Sequence, residues 1–472
     1  MRKLIVILML ISGITLIIQC TNTPHSGKQL ALKASLADEE NCSADSLFPI
    51  RAPLNAEPDS GQECQFYQWA WASFLYITQD SLNKPRFLSY ATPTELFSAG
   101  ATPLFAKQSS RTNLLLAPRL EEDSVVTSFA EVEQATSKGV LIDKNGRAIY
   151  YAQHINNTFA SFVKQHNLTN MDTLFAAKPD LEFVTGSLEL KTSWKIVAPN
   201  EDVSSFYTTN ADVAQFETRK DSSGKTIVVI NPRKLKTERV ALVGIHVVGV
   251  TKGHPEFIWA TFEHDDLGPN NNNPNRSGET PSSDISGAIN DKPLNPGNYL
   301  FYTNGLSAQK CNVATGIEDL IFQDEAKQTF KQTSNVFHQY WFDDDGLIES
   351  LNKNVRQKLG SSSVWSHYSL KGAVWLNSRK NFLENKNFAQ MDKADTTVIG
   401  GEKALSNLTM ETFTQANQRC FSCHKTKVEF DPNSSLSFPA KRISVSHVLT
   451  NAYFNIKRAG QMAMAKNKHA TH

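Results

Sequence analysis

A chain of 472 residues, 40% of them hydrophobic and 20% charged, can bury a sizeable core and is far from disordered or fibrous compositions. The length exceeds what a single core usually reaches, so one large domain with a smaller appendage, or two domains, is expected. Lys and Arg total 48 against 47 for Asp and Glu, so no global field draws in nucleic acid, and that class of partner is excluded.

Residues 1–19 read as an export signal of the lipoprotein type: Arg2 and Lys3, an apolar run over residues 4–18, then Gln19 and Cys20. The run is shorter than the roughly 20 apolar residues of a spanning helix, and a charged start with an apolar middle suits a cleaved signal. A cysteine directly after the apolar stretch resembles the lipobox of bacterial lipoproteins, with Gln19 where a small residue is usual. The resemblance implies that Cys20 becomes the lipid-bearing first residue, anchoring the chain to a membrane with its body in water. Plain secretion and a retained anchor helix are the alternatives. Loss of Arg2 and Lys3 takes the basic count from 48 to 46 against 47 acidic residues, so neutrality survives maturation. An exported setting is oxidising. Three of the six cysteines, Cys42, Cys64 and Cys311, lie outside both the signal and the C-terminal pair described below. Cys42 with Cys64 is the local choice for one disulfide, and three thiols are the alternative.

Residues 20–61 are polar and aperiodic and are expected to form a flexible tether. Residues 64–77, CQFYQWAWASFLYI, contain no Gly or Pro and predict a buried helix whose rings pack the core. A β-rich stretch follows. In 139–155 Asn145-Gly146 sits between two apolar runs, the strongest short-range hairpin signal. Residues 181–197 alternate through Leu188, Leu190 and Trp194 as a half-buried strand would, and 225–230, 240–250 and 256–263 are rich in β-formers. Residues 268–297, which include NNNNPN, read as a surface loop. Helices are predicted over 316–337, 347–359, 403–419 and 444–458, the last capped by Ser444 or Ser446. Strands grouped ahead of helices predict an α+β fold with a central antiparallel or mixed sheet. The expected division is a body over 62–400, a small helical segment over 401–460 and a basic polar tail over 461–472. The small segment is either a minimal appendage or a lobe completed by the body.

Cys420-Phe421-Ser422-Cys423-His424 is the motif that carries chemistry. It fits the Cys-x-x-Cys-His pattern of haem attachment, in which one short turn presents two thiols to the porphyrin vinyl groups and holds the adjacent imidazole against the iron. Zinc would need a second pair of ligands at comparable spacing, and none occurs. A thioredoxin-like pair belongs at a helix start near a βαβ unit, whereas this motif follows a predicted helix. Residues 403–458 resemble a monohaem c-type cytochrome. The phrases PEFIWATFEH and LELKTSWK and the run 408–424 resemble an uncharacterised group of exported bacterial cytochrome c-like proteins. The resemblance implies one covalent haem c on Cys420 and Cys423, iron bound by His424, electron transfer with a redox partner protein, and no established substrate.

A low-spin carrier needs a sixth iron ligand. His447, 23 residues after His424 at the start of the last predicted helix, is the first candidate. Met462 and Met464 follow, then Met410, His338 of the body, or an open site. In the body His246, His254, Trp259, Glu263, His264, Asp265 and Asp266 crowd one short span. With Lys191 and Trp194 they would line a polar pocket, against the plainer reading of a surface cluster at a strand end. A haem-dependent oxidoreductase using Glu263 and His264, or a haem-based sensor, therefore stands beside the electron carrier. The run 343–345 before Gly346 lacks the ligand spacing of a calcium loop and reads as a turn.

Overall fold

The computed structural model describes residues 42–53, 58, 62–97, 113–116, 139–270, 297–307, 310–339, 346–377, 399–401, 405–415, 420–431 and 434–470. The expected signal, Cys20, most of the expected surface loop and the acidic run 343–345 lie outside these. Among the described residues no helix is long and apolar enough to cross a membrane.

The fold is α+β around an eight-stranded mixed sheet. Its strands are β1 (Leu114–Leu116), β2 (Ile149–Ile155), β3 (Leu188–Ile196), β4 (Thr208–Lys220), β5 (Thr226–Thr251), β6 (His254–His264), β7 (Tyr368–Leu376) and β8 (Ile399–Gly401). Neighbours run β8-β7-β6-β5-β3-β2, all antiparallel. The first half of β5 pairs with β4, which carries β1 in a parallel pairing. The two β-rich runs 225–230 and 240–250 are thus one strand of 26 residues. The Asn145-Gly146 hairpin is present: Asp143 N donates to Arg147 O at 2.9 Å, and Gly146 turns the chain at φ +74°. Glycine is required there, because a Cβ would sit 2.7 Å from the Phe330 carbonyl oxygen.

Strand β3 is buried on both faces, not on one as alternation suggests. Lys195 interrupts the apolar pattern yet is fully buried, because Glu201 at 2.5 Å and Asp143 at 3.6 Å neutralise it. One face of the sheet is covered by α1 (Glu63–Thr78), whose Phe66 stacks on Trp375 at 3.8 Å and Phe74 on Phe262 at 4.3 Å. Trp71 of α1 donates to Asn352 at 2.9 Å. The opposite face is covered by α2 (Asn157–Gln165), α3 (Met171–Ala176) and the C-terminal segment, which ends in α5 (His447–Ala470). Asn352 belongs to α4 (Leu347–Leu359), which has the predicted bounds. Part of the predicted tether is packed: Cys42, Ala44 and Leu47 are buried, and a Cys42–Cys64 disulfide joins them to α1. Cys311 is a buried thiol.

Two predicted helices are absent among the described residues. Residues 316–337 form one 3-10 turn, Ile317–Asp319, and a hairpin pairing Phe322–Asp324 with Thr329–Phe330. The hairpin wins because its turn is capped locally, Asp324 Oδ1 accepting from Lys327 N, while Phe322 and Phe330 stack and Phe330 meets Phe216 edge-on. Of the predicted helix 403–419, residues 405–415 are successive turns. Here Asn407 Oδ1 accepts from Thr409 N and Glu411 Oε2 from Asn407 N, side-chain bonds that compete with a helical backbone. The last helix begins at His447 with Ser446 as its cap, Ser446 Oγ accepting from Val448 N at 3.3 Å. It continues to Ala470, through the described residues of the expected polar tail.

Candidate haem site

The cysteine motif does not stand apart from the body. Cross-strand register places Glu189, Val248 and Trp259 in one row and Lys191, His246 and Thr261 in the next, on the sheet face that the C-terminal segment covers. Gly244 lets that segment approach: Leu408 N donates to Glu263 Oε1 at 2.6 Å, and Asn407 Nδ2 to Thr261 Oγ1 at 2.8 Å. Glu411 then meets His246 Nε2 at 2.9 Å. Ser446 Oγ donates to buried Glu189 at 2.7 Å, fixing the start of α5 on the same face.

Cys420 and Cys423 occupy the two ends of one helical turn, Cys420–Cys423, and neither is in a disulfide. Burial pushes the Cys420 thiol up to about 12, so it rests as the neutral thiol. The adjacent His424 imidazole lies 4.0 Å from the Trp259 ring on one side and 4.1 Å from the His447 ring on the other. Its Nδ1 is 2.9 Å from the carbonyl oxygen of Val445. A carbonyl only accepts, so Nδ1 carries the proton and Nε2 keeps its lone pair. Burial, with the neighbouring His447, holds this imidazole well below the ordinary histidine range, so it is neutral near pH 7. Burial likewise brings His447 down to about 4, and its Nε2 faces the Cys423 carbonyl at 3.3 Å.

These residues fit a covalently attached haem. Two thiols on one turn match two vinyl groups, and a neutral imidazole with its free nitrogen oriented by a backbone carbonyl is what an axial ligand requires. Phe421, Trp259, Val445 and Leu449 belong to a single apolar cluster that would shield a porphyrin. Among the described residues no three His, Cys, Asp or Glu side chains are grouped to hold a bare metal ion.

The other sequence candidates are placed as follows. Met410 is fully buried in an apolar cluster with Leu408, Leu141 and Tyr151. His338 bonds buried Glu263 at 2.9 Å. Met462 and Met464 lie on α5, and their side chains are outside the described residues, as is Cys20. The polar pocket expected from Glu263, His264, Lys191 and Trp194 is not formed. Glu263 is occupied by His338 and Leu408 N, and His264 stacks on Phe206 at 3.6 Å with Nε2 against the Ser205 carbonyl. Trp194 is buried in the apolar cluster beneath α1, while the Lys191 ammonium lies 5.1 Å over the Tyr151 ring. His254 pairs with Glu256, and Asp265 with Arg356. These groups serve to pin segments to the sheet. Sequence reasoning passed over Glu189, Glu411 and Val445. The one signal for Glu189 was an acid inside an otherwise apolar strand start.

Comparisons with family models, with curated proteins and with solved structures find no match.

Proposed function

We propose that the chain is an exported c-type cytochrome, lipid-anchored through Cys20 in the cell envelope, that exchanges electrons with a redox partner protein. One haem c would be bonded through Cys420 and Cys423 and its iron held by His424; His447, whose ring here lies 4.1 Å from the His424 ring, would have to move off that ring to serve as the second ligand. The bound haem supplies a one-electron redox change. The observation that carries the reading is the Nδ1 contact of His424 with the Val445 carbonyl, beside two thiols on one turn. A histidine packed only for bulk has no reason to hold its Nδ1 proton on a backbone carbonyl beside such a pair. Trp259 restricts rotation of the imidazole, and Ser446 with Glu189 fixes the helix start that bears His447.

The test is full-length protein matured in a host equipped for cytochrome c assembly. Haem staining on a denaturing gel should follow the chain, and the alkaline pyridine spectrum should show the two-thioether form. Cys420→Ala with Cys423→Ala should abolish the stain. A stain that survives that double change, or none in the wild type, overturns the proposal. His447→Ala should convert a low-spin spectrum to high spin, and an unchanged spectrum removes His447 from the iron. Cys20→Ser should release the protein from the detergent phase of a phase-separation assay, and retention there removes the lipid anchor.

A further inference from the structure

Asp143, Lys195 and Glu201 meet beside the Asn145-Gly146 hairpin, and the function proposed above uses none of them. The side chains of Lys195 and Asp143 are fully buried, and Asp143 Oδ2 lies 3.6 Å from Lys195 Nζ. On the other side Lys195 Nζ donates to Glu201 Oε2 at 2.5 Å. Backbone amides fix both acids: Asp143 Oδ1 accepts from Asn145 N at 2.9 Å and Arg147 N at 3.0 Å, and Glu201 Oε2 from Ala198 N at 2.9 Å. Asp143 Oδ2, by contrast, is buried without a hydrogen-bond partner, a state that costs free energy. Burial pushes the Asp143 carboxyl up against the pull of Lys195, which favours its uncharged acid. A lysine amine, an uncharged carboxyl and a carboxylate hydrogen-bonded to that amine, fixed together away from bulk water, are the two reactants and the proton carrier of amide formation.

We infer that Lys195 and Asp143 condense to an intramolecular isopeptide bond, with Glu201 carrying the protons. Glu201 takes one proton from the Lys195 ammonium, and the freed Nζ attacks Asp143 Cγ, forming the Nζ–Cγ bond. Glu201 then hands its proton to the Asp143 hydroxyl, the Cγ–O bond breaks, and water leaves. A second proton passes from Nζ to Glu201, so charge balances and nothing is oxidised or reduced. The amide replaces two buried ionisable groups by one neutral link, removing the cost of holding a charged pair in the core. It ties the hairpin ahead of β2 covalently to β3. Nothing in the step depends on the haem.

Full-length purified protein, denatured, reduced and digested with trypsin, tests this by mass spectrometry. The wild type should yield a branched peptide joining residues 139–144 to residues 192–219, lighter than the two together by one water. It should be uncut after Lys195, because trypsin does not cleave at an acylated lysine. Lys195→Arg and Asp143→Ala should each abolish the branched peptide. In Glu201→Gln it should form about a hundredfold more slowly, the scale of a lost proton carrier, while circular dichroism shows the chain folded. Wild-type protein that is cut after Lys195 and gives only the separate linear peptides overturns the bond and leaves the three groups an ion pair. A branched peptide that forms undiminished in folded Glu201→Gln removes Glu201 from the step. The wild-type digest decides the bond whether or not the variants fold.

Discussion

The segment leading to Cys420 leaves no room for a side chain at Gly244 of the sheet, and that seating is open to direct test. An alanine Cβ there would lie 2.7 Å from Thr409 Oγ1, 2.8 Å from Ser193 Oγ and 2.9 Å from Asn407 Oδ1. These three atoms hydrogen-bond one another, Ser193 Oγ to Thr409 Oγ1 at 2.5 Å and Thr409 Oγ1 to Asn407 Oδ1 at 2.7 Å. The added methyl therefore meets a buried network that cannot swing aside, and the segment must lift. Overpacking of this kind costs about 1–3 kcal/mol. Losing one of the buried hydrogen bonds adds about 1 kcal/mol. Gly244→Ala should then destabilise the protein by about 2–4 kcal/mol in denaturant unfolding and expose the chain around residue 405 to limited proteolysis. Gly460→Ala on exposed α5, where an added Cβ meets nothing within 4 Å, is the control and should stabilise by up to about 1 kcal/mol. If Gly244→Ala unfolds at the wild-type denaturant concentration with the wild-type cleavage pattern, the segment is not seated on β5 as described.

Cys42→Ser opens a loop of sequence separation 22 and should cost about 3 kcal/mol, an effect that reductant reproduces in the wild type and does not deepen in the variant. Stability should also fall on acidification. Burial holds His154 and His264 down to about 4, against 6.5 unfolded, so the unfolded chain binds the extra protons between pH 6.5 and 4. Each histidine then removes about 1.4 kcal/mol per pH unit in that window, up to about 3 kcal/mol. Glu189 acts oppositely: burial raises it to about 7, so the folded chain binds the extra proton as pH drops below 7 and gains stability until the unfolded carboxyl also protonates. His154→Leu should flatten the acid limb and Glu189→Gln should steepen it in unfolding curves recorded from pH 7 to 4.5. Identical limbs in all three proteins would show that these groups are not buried as described.

What the sequence made legible was local. Helix α1 lacks breakers and carries rings at every turn, Asn145-Gly146 needs only its own backbone, and Leu347–Leu359 closes between Gly346 and Gly360. The cysteine motif is likewise defined within five residues. The elements that were misread depend on partners far along the chain. Segment 405–415 reads as helical until Glu263, Thr261 and Ser193 claim its amides and hydroxyls. Lys195 and Glu189 spoil the strand pattern because their compensating groups, Glu201, Asp143 and Ser446, are not strand neighbours. The same distinction limits the site itself. The two cysteines and His424 announce themselves by residue type, whereas the atom that sets the tautomer of His424 is the carbonyl of Val445, which any residue at that position would supply. Its influence is one of chain path. If a haem is bound as proposed, substituting Val445 should disturb it only through packing: a conservative Val445→Ile should leave its spectrum unchanged, while Trp259→Leu, which removes the ring 4.0 Å from the His424 imidazole, should broaden a low-spin signature.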